Sequence, residues 1–484
     1  MTINTGLAQM HANSSGSTGL LKALQPYRYT WPTTPLAGDP RWTFDEKSQC
    51  YLRTMPETAE ELARDSRWPA LFPSPICIIT TTDGRRVAME REVGASIVNR
   101  FPYVVALSLC REPLSGRHHP RRTFMEILEK GGVASLQFLP PGETLDAALN
   151  AVSTVPDSEC DRRIAHSGLS SRKGVTNDAP VLDAAYLVYE AAFVRPQKDF
   201  SGQPIYASPW VDVGSHRIYF LEINAIQLRQ DIAEGRSQIR WRALPSWRPK
   251  KPVTTAKPVR TLPKGDRYQK GYTPDYAFPS ANTIAFEYDE IRDGMAIKRL
   301  PPLPEDQVEV DNDRARWPCF FPSSCGLITT WADTNTPNLM PCGSTTVVSR
   351  HPFTIAPCVS YTSINERYAR RESLDLIRRS GRFSCGVPYI SDAIVEAIKY
   401  AGNNSLVHDP LKVRNSGLSF GPSEYGPALT DVPIQFDCEV AGEVVLGTHI
   451  MFLGEVKRIR VRADVTPDNP LEWCPWAAVE RSKA

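Results

Sequence analysis

The feature that most restricts how this chain can fold is that it repeats itself once, at very long range. RWPALFPSP at 67–75 returns as RWPCFFPSS at 316–324, an offset of 249 residues, and ICIITTTDG at 76–84 is answered in the same register by CGLITTWAD at 325–333. NRFPYVVALSL at 99–109 pairs with SRHPFTIAPCV at 349–359, RRTFMEILEKGG at 121–132 with RRESLDLIRRSG at 370–381, and SGLS at 167–170 with SGLS at 416–419. Near the end of each copy VGSHRIYFLEI, from Val213, matches LGTHIMFLGEV, from Leu446, where the first copy's longer insertion PQKDFSGQPIYASPW has shortened the offset. Matched blocks in one order mean one structural unit present twice. FDE at 44–46 resembles YDE at 288–290, a weak match alone that extends the repeat to the lead-in. The length, 484 residues, agrees, because single cores stop growing at roughly 250–300 residues.

Within one copy the order is strand, turn, strand, strand, short helix, strand, a helix-rich excursion and a closing pair of strands. Amphipathic spacing marks helices in TFMEILEKG and SLDLIRRSG, and again in TLDAALNAVS and DAIVEAIKYAG. Antiparallel strands with few helices predict an α+β, mainly β fold whose barrel closes on itself and so leaves few exposed edges. The regular strand–helix alternation of a doubly wound sheet is missing, as are GxGxxG and GxxxxGKS loops, which argues against a Rossmann or P-loop nucleotide site.

The 42 prolines gather in the first seventy residues and between about 244 and 304, in segments such as PSWRPKKPVTTAKPVRTLPKG that read as arms or linkers. Lys250 and Lys251 beside Trp247 form a basic run that reads as solvated linker rather than a phosphate contact. A net charge of +2 gives no sign of a nucleic-acid or membrane partner. Eleven cysteines without a CxxC, and no Cys/His cluster at zinc spacing, encode neither a disulfide framework nor a metal site. Cys77, Cys110, Cys358 and Cys438 sit in apolar strand-like runs, where a free thiol behaves as a small hydrophobe. With no signal-like N-terminus and no run of about 18 apolar residues, the expected location is the cytoplasm.

The series of blocks, shown twice over about 67–235 and 316–465, resembles the flavin-reductase-like FMN-binding split-barrel family. That family shows an apolar strand ending in TT and a turn, a hydroxyl-bearing strand leading to a proline, a further strand, and a basic residue with Ser or Thr opening a helix. An SG or TG, a phenylalanine-containing strand and a late GxH before a final strand complete it. The resemblance implies an N-terminal arm at 1–66, one split barrel at 67–235, a proline-rich linker and lead-in at 236–315, a second barrel at 316–465 and a tail at 466–484. It implies FMN as cofactor, NAD(P)H as reductant and an intramolecular pseudo-dimer or a homodimer with flavin at the interface.

Carried over by position, the family's hydroxyl places near the flavin fall on Thr346 and Ser349 in the second copy and on Ser96 and Asn99 in the first. Such side chains suit the ribityl hydroxyls and the pyrimidine edge; ordinary strand residues are the alternative. The basic residue and hydroxyl at a helix start map to Arg371 and Ser373, and to Arg121, Arg122 and Thr123. Free helix N–H groups, a hydroxyl and an arginine make a phosphate site, against the plainer reading of an N-cap with solvated arginines. His216 and His449 occupy the GxH place as catalytic candidates, able to bond flavin or assist a proton step, or simply structural. His118 and His119 read as surface residues of a polar loop.

Two departures bear on the sites. Where many family members have an asparagine after the SG, Gly386 and Leu136 stand here, and the first copy carries MEREVGAS, whose charges are unexpected beside a flavin. They point to one degenerate site, the second copy being better preserved. The expected activity is an FMN-binding oxidoreductase, foremost an NAD(P)H-dependent flavin reductase serving a small-molecule substrate or an oxygenase partner. The alternatives are an FMN enzyme for a specialised transformation of a small metabolite and a non-catalytic binding or scaffold protein.

Overall fold

The computed structural model of the protein describes residues 29–56, 72–74, 76–92, 94–100, 102–112, 120–199, 202–240, 248–249, 286–300, 324–361, 371–388, 392–473 and 476–481. His118, His119, Trp247, Lys250, Lys251 and most of the two RWP blocks lie outside them.

In chain order the elements that position the site begin with the hairpin β1 (Thr43–Asp45) and β2 (Cys50–Thr54). Next come β3 (Cys77–Thr82), β4 (Val87–Glu92), β5 (Ser96–Asn99), β6 (Val104–Cys110), α1 (Arg122–Gly131), β7 (Val133–Phe138) and α2 (Glu143–Thr154). They continue with β8 (Leu187–Phe193), β9 (Trp210–Val213), β10 (His216–Arg229) and a second hairpin, β11 (Glu290–Arg292) and β12 (Met295–Arg299). The last group is β13 (Ser324–Trp331), β14 (Pro337–Arg350), β15 (Phe353–Ser360), α3 (Glu372–Ser380), β16 (Arg382–Val387), α4 (Asp392–Asn403), β17 (Ile434–Val445) and β18 (His449–Arg462).

Antiparallel pairing carries the chain round a closed ring of six strands, β13–β14–β15–β18–β17–β16 and back to β13. The earlier half pairs in the same order, β3–β4, then β5–β6–β10–β8–β7 and back to β3. There the strand matching β14 is interrupted between Glu92 and Ser96, so chain continuity closes the ring. The fold is α+β, mainly β, and its barrels are of the split kind.

Alternation along the strands produces two layers per barrel. Cys77 and Ile79 face the interior, whereas Ile78 faces an outer cluster with Leu145, Ala148 and Ala151 of α2. In the second barrel Ile328 faces inward, and Leu327 packs outward on Ile394, Ala397, Ile398 and Ala401 of α4. Both α1 and α3 stop at a glycine in the left-handed region, Gly132 (φ 66) and Gly381 (φ 65), the conformation that ends helices most cheaply in glycine. A separate apolar cluster joins the barrels, with Val98, Val104, Ala106, Ile218 and Phe220 against Val348, Ala356, Cys358, Leu446 and Met451.

The segments read as arm and linker hold strands, and these are exchanged. The β1–β2 hairpin adds to the second barrel, with Thr54 opposite Arg458 and Cys50 opposite Arg462. The β11–β12 hairpin adds to the first barrel, with Arg299 opposite Ala225 and Met295 opposite Arg229. FDE and YDE, the weakly matched lead-ins, are therefore the entries to two hairpins in corresponding places. The tail is also engaged: Ala478–Arg481 pairs with Ser237–Arg240, and Trp476 joins the first barrel's outer cluster.

Gly214, between β9 and β10, has φ 54, and a Cβ there would meet the His351 carbonyl oxygen of the other barrel at 2.1 Å. The Gly214→Ala variant is expected to lose about 2 kcal/mol or more of stability in urea denaturation, through strain and the displaced inter-barrel contact. Gly421 has no atom within 4 Å of its Cβ position, and Gly421→Ala is the matched control, changing stability by less than about 0.5 kcal/mol.

Candidate functional site

The two predicted histidines open β10 and β18, each beside the inter-barrel face. The second is built more elaborately. Asn99 of the first barrel places its side-chain oxygen where Thr448 N (2.9 Å), Thr448 Oγ1 (2.7 Å) and His449 N (3.1 Å) all donate to it. Its Nδ2 donates to the Pro102 carbonyl, so the amide orientation is fixed at both ends. With the Thr448 proton spent on Asn99, the 2.8 Å contact between Thr448 Oγ1 and His449 Nδ1 must be donated by the imidazole. His449 is thus the Nδ1–H tautomer, and Nε2 keeps its lone pair.

Burial pushes the His449 pKa down to about 3, with Arg100 and Arg371 adding to the effect. The expectation of a histidine titrating near working pH therefore fails for His449: its ring is neutral and suited to accept a hydrogen bond. His216 contacts Ser215 Oγ through Nδ1 at 2.8 Å, and Ser215 N donates to the His351 carbonyl across the interface.

The hydroxyl positions differ in what they have left to offer. Thr346, opposite Ala356, and Ser96, opposite Ala106, occupy equivalent places. Thr346 Oγ1 is buried and has no hydrogen-bond partner among the described residues, whereas Ser96 Oγ has a long contact, 3.4 Å, to the Ile97 carbonyl. Ser349 Oγ accepts from His351 N, and Ser373 Oγ accepts from Asn338 Nδ2 at 2.8 Å.

At the helix starts, Arg121 N bonds the Cys110 carbonyl and Arg371 N bonds the Ser360 carbonyl, which makes these two arginines counterparts. Of the two arginines offered by the sequence, Arg122 is exposed and among the described residues reaches only the Arg111 carbonyl at 3.5 Å. Arg121 is paired with the fully buried Glu90 at 2.9 Å. Asp157 accepts from Thr123 N at 2.7 Å and from Phe124 N at 3.4 Å, covering the α1 N-terminus. In the second barrel Ile328 pairs with Met340 where Ile79 pairs with Glu90, and Gly326 pairs with Cys342 where Cys77 pairs with Glu92. Leu406 stands at Asp157's offset, and Arg371 Nη1 donates to the Gly402 carbonyl at 3.1 Å. Three acids near the first site are thus neutral residues near the second.

A cavity of about 870 Å³ opens elsewhere, on the outer side of the second barrel between the β1–β2 hairpin and Arg458, Arg460 and Arg462; none of the predicted site residues lines it. Among the described residues no cluster of His, Cys, Asp and Glu could hold a metal, and no helix is long and apolar enough to cross a membrane.

Residues 319–477, which contain the second ring, Thr346, Arg371 and His449, match the flavin reductase like domain. The chain is also similar in structure to flavoredoxin of Desulfovibrio vulgaris (Miyazaki F), at 23% identity over 29% of this chain and 70% of that one, with a TM-score of 0.25. An FMN-binding protein from Thermus thermophilus with bound 1-cyclohex-2-enone matches at 16% identity over 36% and 79%, TM-score 0.24. The Streptomyces globisporus C-1027 NADH:FAD oxidoreductase SgcE6 matches at 15% over 32% and 75%, TM-score 0.24. No curated protein matches the sequence.

Within the flavin reductase like domain, Gly386 faces outward, where a Cβ would meet Val432 at 3.2 Å. Its register partner Leu327 corresponds to Ile78, which pairs with Gln137, so Gly386 answers to Gln137 rather than to Leu136. Gln137 clamps Pro180 and Leu182; in the second barrel Gln435 makes the matching bonds to Pro427 and Leu429. The departure is a relocated clamp on the outer face.

Removing the Asn99 side chain strands two buried backbone donors of the other barrel. Asn99→Ala is expected to cost about 2–4 kcal/mol in chemical denaturation. His449 gives a pH signature: from the ordinary histidine value of 6.5 down to about 3 the unfolded chain binds more protons at this residue than the folded one. Stability therefore falls with falling pH in that window, and His449→Asn should flatten the slope between pH 6 and 4.5 by up to about 1.4 kcal/mol per pH unit.

Proposed function

We propose that the chain is an FMN-binding oxidoreductase, foremost an NAD(P)H-dependent flavin reductase, with its flavin held at the second barrel's inter-barrel face. The observation that carries this reading is the flavin reductase like domain at 319–477 with a buried, unpartnered hydroxyl, Thr346 Oγ1, at a position expected to serve the cofactor. A buried hydroxyl without a partner is costly unless a ligand satisfies it. The α3 N-terminus with Arg371 fits a phosphate, since Met340 and Leu406 stand where the first barrel has carboxylates.

FMN, when bound, accepts a hydride from a nicotinamide and passes electrons to an acceptor. The protein's part is to hold and shield it. Arg371 and the helix amides bind the phosphate, Thr346 and Ser349 meet the ribityl chain or ring edge, and His449 offers Nε2 as an acceptor without carrying charge. Ser373 supports the helix start through Asn338, Asn99 orients His449 from the other barrel, and Ser96, Arg121, Thr123 and His216 belong to the corresponding place in the first.

The two barrels are diverged copies of one domain, paired within the chain as a pseudo-dimer, which replaces a concentration-dependent association by an intramolecular one. An oxygenase receiving reduced flavin is the partner this chemistry suits, in the cytoplasm.

Absorbance of purified protein after FMN addition and desalting, followed by anaerobic NADH and NADPH, tests the reading. A retained flavin band that bleaches with nicotinamide is the expected result, and Thr346→Val should weaken retention by about tenfold. A retained band that neither nucleotide bleaches would replace the reductase by an enzyme for a specialised transformation. A folded chain that retains no flavin and oxidises no nicotinamide with added FMN sinks the oxidoreductase reading.

A further inference from the structure

In the first barrel two cations share one acid. Arg121 Nε and Arg163 Nη1 reach the same oxygen, Glu90 Oε2, at 2.9 and 2.5 Å. Arg163 has a counterpart fixed by geometry as well as by register. Its Nε and Nη2 donate to the carbonyl of Val155, the residue after α2, and Lys412 Nζ donates to the carbonyl of Asn404, the residue after α4, with both residues 249 positions on. Arg371 and Lys412 in the second barrel therefore match Arg121 and Arg163, while the residue matching their shared carboxylate is Met340.

Lys412 is only 4% exposed, and the one hydrogen bond of its ammonium among the described residues is the 3.3 Å bond to the Asn404 carbonyl. The charged groups facing it are Arg371, Glu372 and Asp409. Asp409 is taken up by Tyr400 Oη, Asn415 Nδ2 and Leu411 N, and no carboxylate of the described residues forms an ion pair with Lys412. Burial holds its pKa down at about 7, Arg371 lowers it further, and Glu372 and Asp409 only partly oppose this. Such an ammonium is short of negative charge.

We propose that Glu90 and Asp157 are built-in occupants of the first barrel's anion pocket, and that the second barrel leaves the same pocket to the phosphate of one flavin nucleotide, held by Arg371, Lys412 and the α3 N-terminus. The proposal rests on the flavin reading above and adds to it a binding residue, Lys412, and a stoichiometry of one per chain. A phosphate dianion between the two cations does in the second barrel what the Glu90 carboxylate does in the first. Binding it also stabilises the protonated form of Lys412, so affinity for a phosphorylated flavin rises as pH falls towards 7.

The test compares FMN with riboflavin, which has the same ring and ribityl chain but no phosphate, by quenching of flavin fluorescence. The wild-type chain is expected to take up one FMN and to prefer it to riboflavin, increasingly so from pH 8.5 to 6.5. Lys412→Met should lower FMN affinity about tenfold or more, leave riboflavin binding unchanged and abolish the pH trend, and Lys412→Arg should restore the preference. Two FMN per wild-type chain, or an unaltered FMN-to-riboflavin ratio in a folded Lys412→Met protein, overturns the proposal while leaving the flavin reading intact. A wild-type chain that binds neither flavin overturns both.

Discussion

The candidate site depends on how one buried amide is satisfied. Asn99 takes the Thr448 and His449 donors of the opposite barrel, and through Thr448 it fixes which imidazole nitrogen of His449 carries the proton. Buried polar networks confer uniqueness only when every member is paired, and here the members come from residues about 350 positions apart. The chemistry available to the second barrel is therefore set by the first. Arg100, the residue after Asn99, adds its charge to the same surroundings.

Pairing is symmetric in topology and asymmetric in chemistry. Corresponding strands close both rings in one order, yet Glu90, Glu92 and Asp157 on one side answer to Met340, Cys342 and Leu406 on the other. Carboxylates inside a barrel are tolerated because arginines and helix amides neutralise them, as Arg163 and Arg121 do for Glu90. Glu90 completes such a network with Arg121 and Arg163. The unexpected charges of MEREVGAS are in this sense structural.

Much of this was legible in the sequence, for stated reasons. The order of elements along each half followed from the matched blocks, because the same blocks in the same order mark one structural unit present twice. The helices at 123–131 and 373–381 were visible from their amphipathic spacing. The exchanged hairpins were not, since FDE and YDE announce strands without saying which barrel receives them; proline-rich surroundings made them look like linker. At the site, Arg371 was found by motif, but its counterpart was left shared between Arg121 and Arg122, because the first helix is one residue longer and begins one position earlier relative to its glycine cap. Asn99 could not be read as an inter-barrel tie, for nothing local marks a partner so far along the chain. Lys412 lay in an unremarkable run, and only its match to Arg163, through the SGLS register, could have singled it out.

The exchanged hairpins also bear on how the protein comes into being. The residues at 290–299 emerge soon after the first barrel they complete, whereas those at 50–54 must wait for their partners at 458–462. At roughly 5–20 residues per second, a ribosome needs on the order of half a minute to make the intervening chain. Throughout that interval the strand at 50–54 lacks the neighbour it finally pairs with, so the second barrel can complete its sheet only after residue 462 has been made.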